Sequence, residues 1–299
     1  FVAITYAFIF GAMFGDVGQG LVLLLGGFFL YKKKGMDLAA IIGSAGIFST
    51  FFGFMYGSFF GFEDVLKAIW LKPMNQMMDV PLVGRLNAVF VIAIGFGMFI
   101  ILICMIFNII NSLRNKDVEK AWFDSNAVAG LVFYGSIVLT VGLFISGKKL
   151  PATAVLVVMF GVPLLLMFLK EPLTNLVEKK SEIFPEQKGM FFVQSFFELF
   201  EVLLSYLSNT LSFLRIGAFA VSHAAMMEVV LMLAGATNGG SPNWIVVVLG
   251  NIFVCAMEGL IVGIQVLRLE YYEIFSRFYA GNGREFQPFM KTLRKSAQK

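Results

Sequence analysis

Stretches of eighteen or more apolar residues recur along the whole chain, and no other feature narrows its possible folds so far. Runs of that length match the hydrocarbon core of a bilayer and not the interior of a soluble domain. The composition agrees, with 59% of the 299 residues apolar and 14% charged. The expected fold class is all-α, a polytopic membrane protein of about eight transmembrane helices. A net charge of +4 would point to acidic partners in a soluble protein, but here each Lys and Arg is judged by its position relative to the spans. Nucleic acid is not an expected partner. Cys104 and Cys255 sit in apolar segments without CxxC spacing or a His companion, so neither a metal site nor a disulfide framework is expected. The chain opens at Phe1 inside an apolar run, with no initiator Met, basic region or cleavage site, and an N-terminal part is therefore expected to be missing.

Reading apolar runs against charged breaks gives spans from Phe1 to about Phe14, Val17 to Tyr31, Leu38 to Phe62, Asn87 to Leu113, Ser125 to Ser146, Ala152 to Leu169, Phe191 to Ala236, and Asn243 to about Tyr279. Gly15, Asp16, Gly18 and Gly20 break the first run, so a short hairpin is expected there in place of one long helix. With the first residue cytoplasmic, sixteen basic residues fall on the cytoplasmic side. They are Lys32, Lys33, Lys34, Arg114, Lys116, Lys120, Lys170, Lys179, Lys180, Lys188, Arg277, Arg284, Lys291, Arg294, Lys295 and Lys299. Five fall outside: Lys67, Lys72, Arg85, Lys148 and Lys149. That asymmetry predicts both ends to be cytoplasmic. Residues 1–190 then form a six-helix scaffold, 191–281 two long tilted helices, and 282–299 a cytoplasmic tail. The Glu63 to Leu86 loop is amphipathic, and Lys170 to Lys188 reads as an interfacial connector. Gly53, Gly57 and Gly61, four residues apart, predict close helix packing. The glycine-rich GDVGQG at Gly15 to Gly20 lacks the strand-then-helix context of a phosphate loop, and no cofactor is expected.

The seventh span is too long and too polar for a plain anchor, since its run of about 46 residues reaches roughly 70 Å, over twice a bilayer core. Gln194, Glu198, Glu201, Ser205, Ser208, Ser212 and Arg215 are three or four residues apart and share one helix face, extended by Ser222 and His223. The eighth span answers with Asn251, Glu258, Gln265 and Tyr272 at intervals of seven, and Arg268 follows Gln265 by a turn. Two such helices are expected to pair seam to seam. If they run antiparallel, His223 and Glu258 lie about 12 to 15 Å to the outer side of the arginines, and Asp16 falls on that side too. Glu198 and Glu201 lie about 21 to 26 Å toward the cytoplasm. The pattern is that of two offset half-channels interrupted by a fixed positive charge. Ionisable groups in spans are costly and point to function. A structural bridge from arginine to glutamate or backbone would hide the same charges, His223 would equally serve as a packing residue, and Glu198 and Glu201 would equally sit at the membrane surface.

Three stretches go further: MFGDVGQG (Met13 to Gly20), SFLRIGAFAVSHA (Ser212 to Ala224) and MEGLIVGIQVLRLEYYEIFSRFYAGNGREFQPF (Met257 to Phe289). At these residues the chain resembles the membrane domain of the a subunit, called I in prokaryotes, of V-type and A-type rotary ATPases, and the RIGAF and LRLEYYE wording is closer to prokaryotic relatives. The resemblance implies a prokaryotic plasma-membrane protein with eight spans and a tilted final pair, whose Arg215 faces the buried carboxylates of a rotating c or K proteolipid ring. By the same resemblance Arg268 matches the second arginine, Glu201 belongs to the cytoplasmic half-channel, and His223, Glu258 and Asp16 belong to the outer one. H⁺ and Na⁺ are both open as the ion. Peripheral and central stalk subunits would be met through the family's cytoplasmic N-terminal domain, absent from these residues. ATP is not expected to bind here, for there is no Walker motif. A proton-coupled secondary transporter, with Glu, His and Arg in a midplane relay, is the rival reading, and a structural membrane scaffold is the third. The halves show no inverted repeat.

Overall fold

A computed structural model describes every residue except 63, 64, 75, 81–83, 116–118, 150, 178–187, 237–241, 280 and 282–299. The expected tail at 282–299 lies outside the described residues, as do Lys116, Lys179 and Lys180 among the counted cations. The fold is all-α apart from one two-stranded antiparallel hairpin, β1 (Met77–Val80) and β2 (Gly84–Asn87), in register Met77 to Asn87. This hairpin stands in the loop that the sequence marked only as amphipathic. Among the described residues, five helices are long and apolar enough to cross a membrane, six if one bent pair counts as a single span. Apolar side chains such as Leu25, Val157, Leu233 and Ile245 cover much of the outside, where a soluble protein would present polar groups.

Helix α1 (Val2–Met13) ends at the expected break, and α2 (Val17–Lys34) begins at once because Asp16 caps it, accepting the Gln19 N–H at 2.9 Å. Lys32, Lys33 and Lys34 occupy the last turn of α2, where the helix dipole favours cations. Both helices pack chiefly on α3 (Asp37–Tyr56) and less on each other. The α2–α3 contact is nearly backbone to backbone: a Cβ at Gly27 would stand 2.5 Å from the Gly43 nitrogen, and one at Gly46 2.5 Å from the Leu24 nitrogen. Small residues permit that approach in a medium that supplies no hydrophobic drive between helices. Of the expected glycine triplet only Gly53 joins this contact. Gly57 ends α3 in the left-handed region (φ 76°), and Gly61 (φ 83°) turns the loop beyond it.

Helix α4 (Ala88–Asn115) crosses behind this unit, and a π-helical turn, Glu119–Phe123, leads to α5 (Val128–Ile145). Helix α6 (Thr153–Phe168), with Pro163 inside it, bends by 72° into the short α7 (Lys170–Val177), the expected connector. The long seventh span divides into α8 (Lys188–Ser212) and α9 (Leu214–Leu233), with only Phe213 between them. The eighth is α10 (Trp244–Leu269), continuing through a π-helical segment, Glu270–Phe275, to Phe278. The main core gathers Phe10, Met13 and Phe14 of α1, Ile101 and Cys104 of α4, Phe213, and Val262 and Val266 of α10. α1 therefore stands at the centre, against α3, α9 and α10.

Candidate functional site

Just before Arg215 the long helix tightens for one turn at Phe213, whose N–H bonds to the Thr210 carbonyl and whose carbonyl accepts from Ile216 N–H. Phe213 is fully buried, its ring lying on Gly97 of α4, where any side chain would collide with it. Two residues on, Arg215 is half-buried; its Nη2 donates to the Ser212 hydroxyl at 3.2 Å, while its Nη1 is buried without a partner among the described residues. The Ser212 hydroxyl in turn donates to Glu273 Oε1, on the π-helical segment. Gln265 is half-buried and Arg268 exposed on α10.

About 12 Å along α9 toward its C-terminal end, His223 meets Glu258 of α10, Nδ1 to Oε2 at 2.6 Å, with both residues almost wholly buried. The ring of Phe14 lies 4.7 Å from the imidazole. Among the described residues His223 Nε2 and Glu258 Oε1 have no hydrogen-bond partner, and a small cavity beside His223, about 20 Å³, has room for about one water. Farther along, Gln19 donates to Asn251 Oδ1 at 2.8 Å and reaches the sulfur of Met227 at 3.2 Å. Asp16, fully buried, accepts four bonds: from the N–H groups of Gln19, Phe60 (3.0 Å) and Gly61 (3.0 Å), and from the Ser58 hydroxyl (2.6 Å). All its lone-pair directions are engaged in capping α2 and folding the loop after α3.

On the other side of Arg215 a polar cavity of about 310 Å³ is lined by Glu198, Glu201, Ser205, Asn126, Tyr206 and Arg277, among others. Arg277 is buried there, donating to Asn126 Oδ1 at 3.0 Å with its guanidinium over the Tyr206 ring. It is thus no free loop charge, as the count of cytoplasmic cations had taken it to be. Glu198 also pairs with Lys170 of α7.

The structure therefore brings His223 to Glu258, Ser212 to Arg215, and Glu198, Glu201 and Ser205 to one cavity. It does not pair the two seams along their length. Gln194, Glu201, Ser205 and Ser208 lie on an open face of α8, and on α10 only Asn251 and Glu258 of the seven-residue series are buried, Tyr272 pointing outward. A helix of 3.6 residues per turn drifts by about 20° per heptad, and the π-helical segment adds to the drift. The buried polar face continues instead through Glu270, Glu273 and Arg277. These residues and Gln19 were given no place in the site by the sequence. The spacing 270, 273, 277 held the signal, since residues three and four apart share a face.

Fold and site together define a class: a helical membrane protein whose last two long helices carry ionisable groups inward. Residues 174–291 match the model of the V-type ATPase 116kDa subunit family. The chain is 28% identical to the A-type ATP synthase subunit I of Aeropyrum pernix, over 96% of this chain and 46% of that protein. With the same subunit of Saccharolobus solfataricus the identity is 26%, over 97% and 50%, and with that of Pyrococcus abyssi 28%, over 96% and 42%. Over nearly its whole length the chain is thus similar to A-type ATP synthase subunit I, and over residues 174–291 to the V-type ATPase 116kDa subunit family. It spans about half the length of the curated relatives it matches.

Proposed function

We propose that this chain is the membrane domain of a rotary-ATPase stator subunit and forms two offset half-channels for H⁺ or Na⁺ against a rotating c/K proteolipid ring. The observation that carries the reading is the position of Arg215, at a helix break between a buried His223–Glu258 pair on one side and a polar cavity holding Glu198 and Glu201 on the other. A ring carboxylate in lipid would travel neutral or with a bound cation. Near Arg215 its charged form is favoured, so it would release to one compartment and reload from the other. Arginine suits the post because it does not deprotonate in proteins. Arg268, exposed on α10 with Gln265 beside it, would share the contact, and the open face of α8 with Ser205 would stand toward the ring.

On this reading α1, α2 and the bent α6–α7 pair complete eight spans. Residues 1–190 are the scaffold that holds 191–281 against the ring, and both ends lie in the cytoplasm of a prokaryotic cell. Cysteines at Lys67 and Lys33 test the orientation: an impermeant reagent on intact cells should label the first and spare the second, and the reverse pattern overturns it. The function is tested by Arg215→Gln in the assembled enzyme. ATP-driven ion uptake should fall to background with complex recovery unchanged, and an enzyme that assembles and pumps at the wild-type rate would falsify the assignment.

A further inference from the structure

We infer that Glu273 is the internal counter-charge of Arg215, tethering it through Ser212 and setting how much positive field reaches a carboxylate passing on the ring. The inference rests on the stator reading above. A hydroxyl has one proton and two lone pairs, so Ser212 can donate to Glu273 and accept from Arg215 at once, and the observed pair of bonds has that polarity. Glu273 is 5% exposed, too buried to be neutralised by water, and its Oε2, like Arg215 Nη1, has no hydrogen-bond partner among the described residues. Each end of the relay thus keeps one bonding position open.

The charged groups that act on Glu273 are Arg215 and Arg268, and it acts in turn on Arg277. Tyr6 of α1 and Cys104 of α4, titratable groups of the helices packed behind this segment, feel the charge of Glu270. One carboxylate therefore tempers three guanidinium groups. Were its charge removed, the positive field at the ring would strengthen and the ionised form of the ring carboxylate would be favoured further. Reloading would then need more ion. A unit charge removed about 10 Å away, at an effective dielectric of about 20, changes that requirement by roughly tenfold.

The experiment measures ATP-driven uptake by the reassembled complex in liposomes while the ion concentration is varied on the loading side. Glu273→Gln should raise the concentration for half-maximal uptake by about tenfold, whereas Glu273→Asp, which keeps the charge, should leave it in place. Ser212→Ala should lower the maximal rate at unchanged half-saturation, because the field persists and only the tether is lost. A Glu273→Gln complex with the wild-type concentration dependence overturns the inference, and so does a Glu273→Asp complex that shifts as Gln does. Where Glu273→Gln fails to assemble, Ser212→Ala decides: an unchanged maximal rate overturns the tether. An Arg215→Gln enzyme that pumps would overturn the stator reading itself, whereas a silent Arg215→Gln beside an unaltered Glu273→Gln removes only the role of Glu273.

Discussion

On the two sides of Arg215 the chain keeps ionisable groups inside an apolar slab in opposite ways. The side of His223 is closed: His223 and Glu258 meet through one bond at 2.6 Å with room for about one water beside them, and Asp16 spends all its capacity on four donors. The side of Glu198 is open: Glu198, Glu201 and Arg277 border a polar cavity of about 310 Å³, and much of the polar face of α8 is uncovered. Burial explains the difference. A charge removed from water needs a partner in fixed geometry, whereas one beside a wet cavity keeps its hydration and needs none. The closed side should therefore answer to single atoms and the open side to bulk properties.

The strongest test of that contrast is Glu258→Gln, which keeps the shape and deletes the charge facing His223. Ion uptake should fall by about a hundredfold or more while assembly is preserved, the scale expected for losing one proton-transfer group. Unchanged coupled uptake would take Glu258 out of the path. Asp16→Asn comes next and should act on stability first, since its amide turns a donor toward groups that are themselves donors. The loss should be about 3 kcal/mol, comparable to one or two charge-assisted bonds, read as a lower melting temperature in detergent. A variant that melts like wild type would mean that the four bonds carry no weight and Asp16 serves the path alone. The smallest effect is expected on the open side. Lys170→Met breaks a partly exposed pair with Glu198, and stability should change by less than about 1 kcal/mol with uptake within twofold. A large loss there would show that the side of Glu198 is as tightly built as the side of His223.

The sequence exposed much of this arrangement, and where it did not, the cause is geometric. The break before Asp16 was legible because glycine and a capping carboxylate act through the local backbone, and the helix boundaries of α4 to α6 followed closely from length and charge, whereas α3 stops at Tyr56, short of the expected Phe62, because Gly57 turns the chain there. His223 and Glu258 were placed at one depth by counting residues. Their direct bond needed the rotation of α9 about α10, which counting does not give. Gln19 donates to a residue 232 positions away, and no spacing within a motif encodes that contact. Glu273 and Arg277 escaped because an interval of seven tracks a coiled-coil seam, while this helix winds at 3.6 and then relaxes into a wider turn.

That wider turn also bears on how the gene can vary. Across Glu270–Phe275 each turn holds about one residue more than in an α-helix, while Glu270, Glu273 and Arg277 all stay buried. Deleting one codon among these six would let the segment rewind as an ordinary helix with Arg277 still in its cavity, because the wider turn absorbs one residue. The same deletion in the α-helical stretch before it would rotate everything after by about 100°. The segment thus has room for a change of length that its helical neighbours lack.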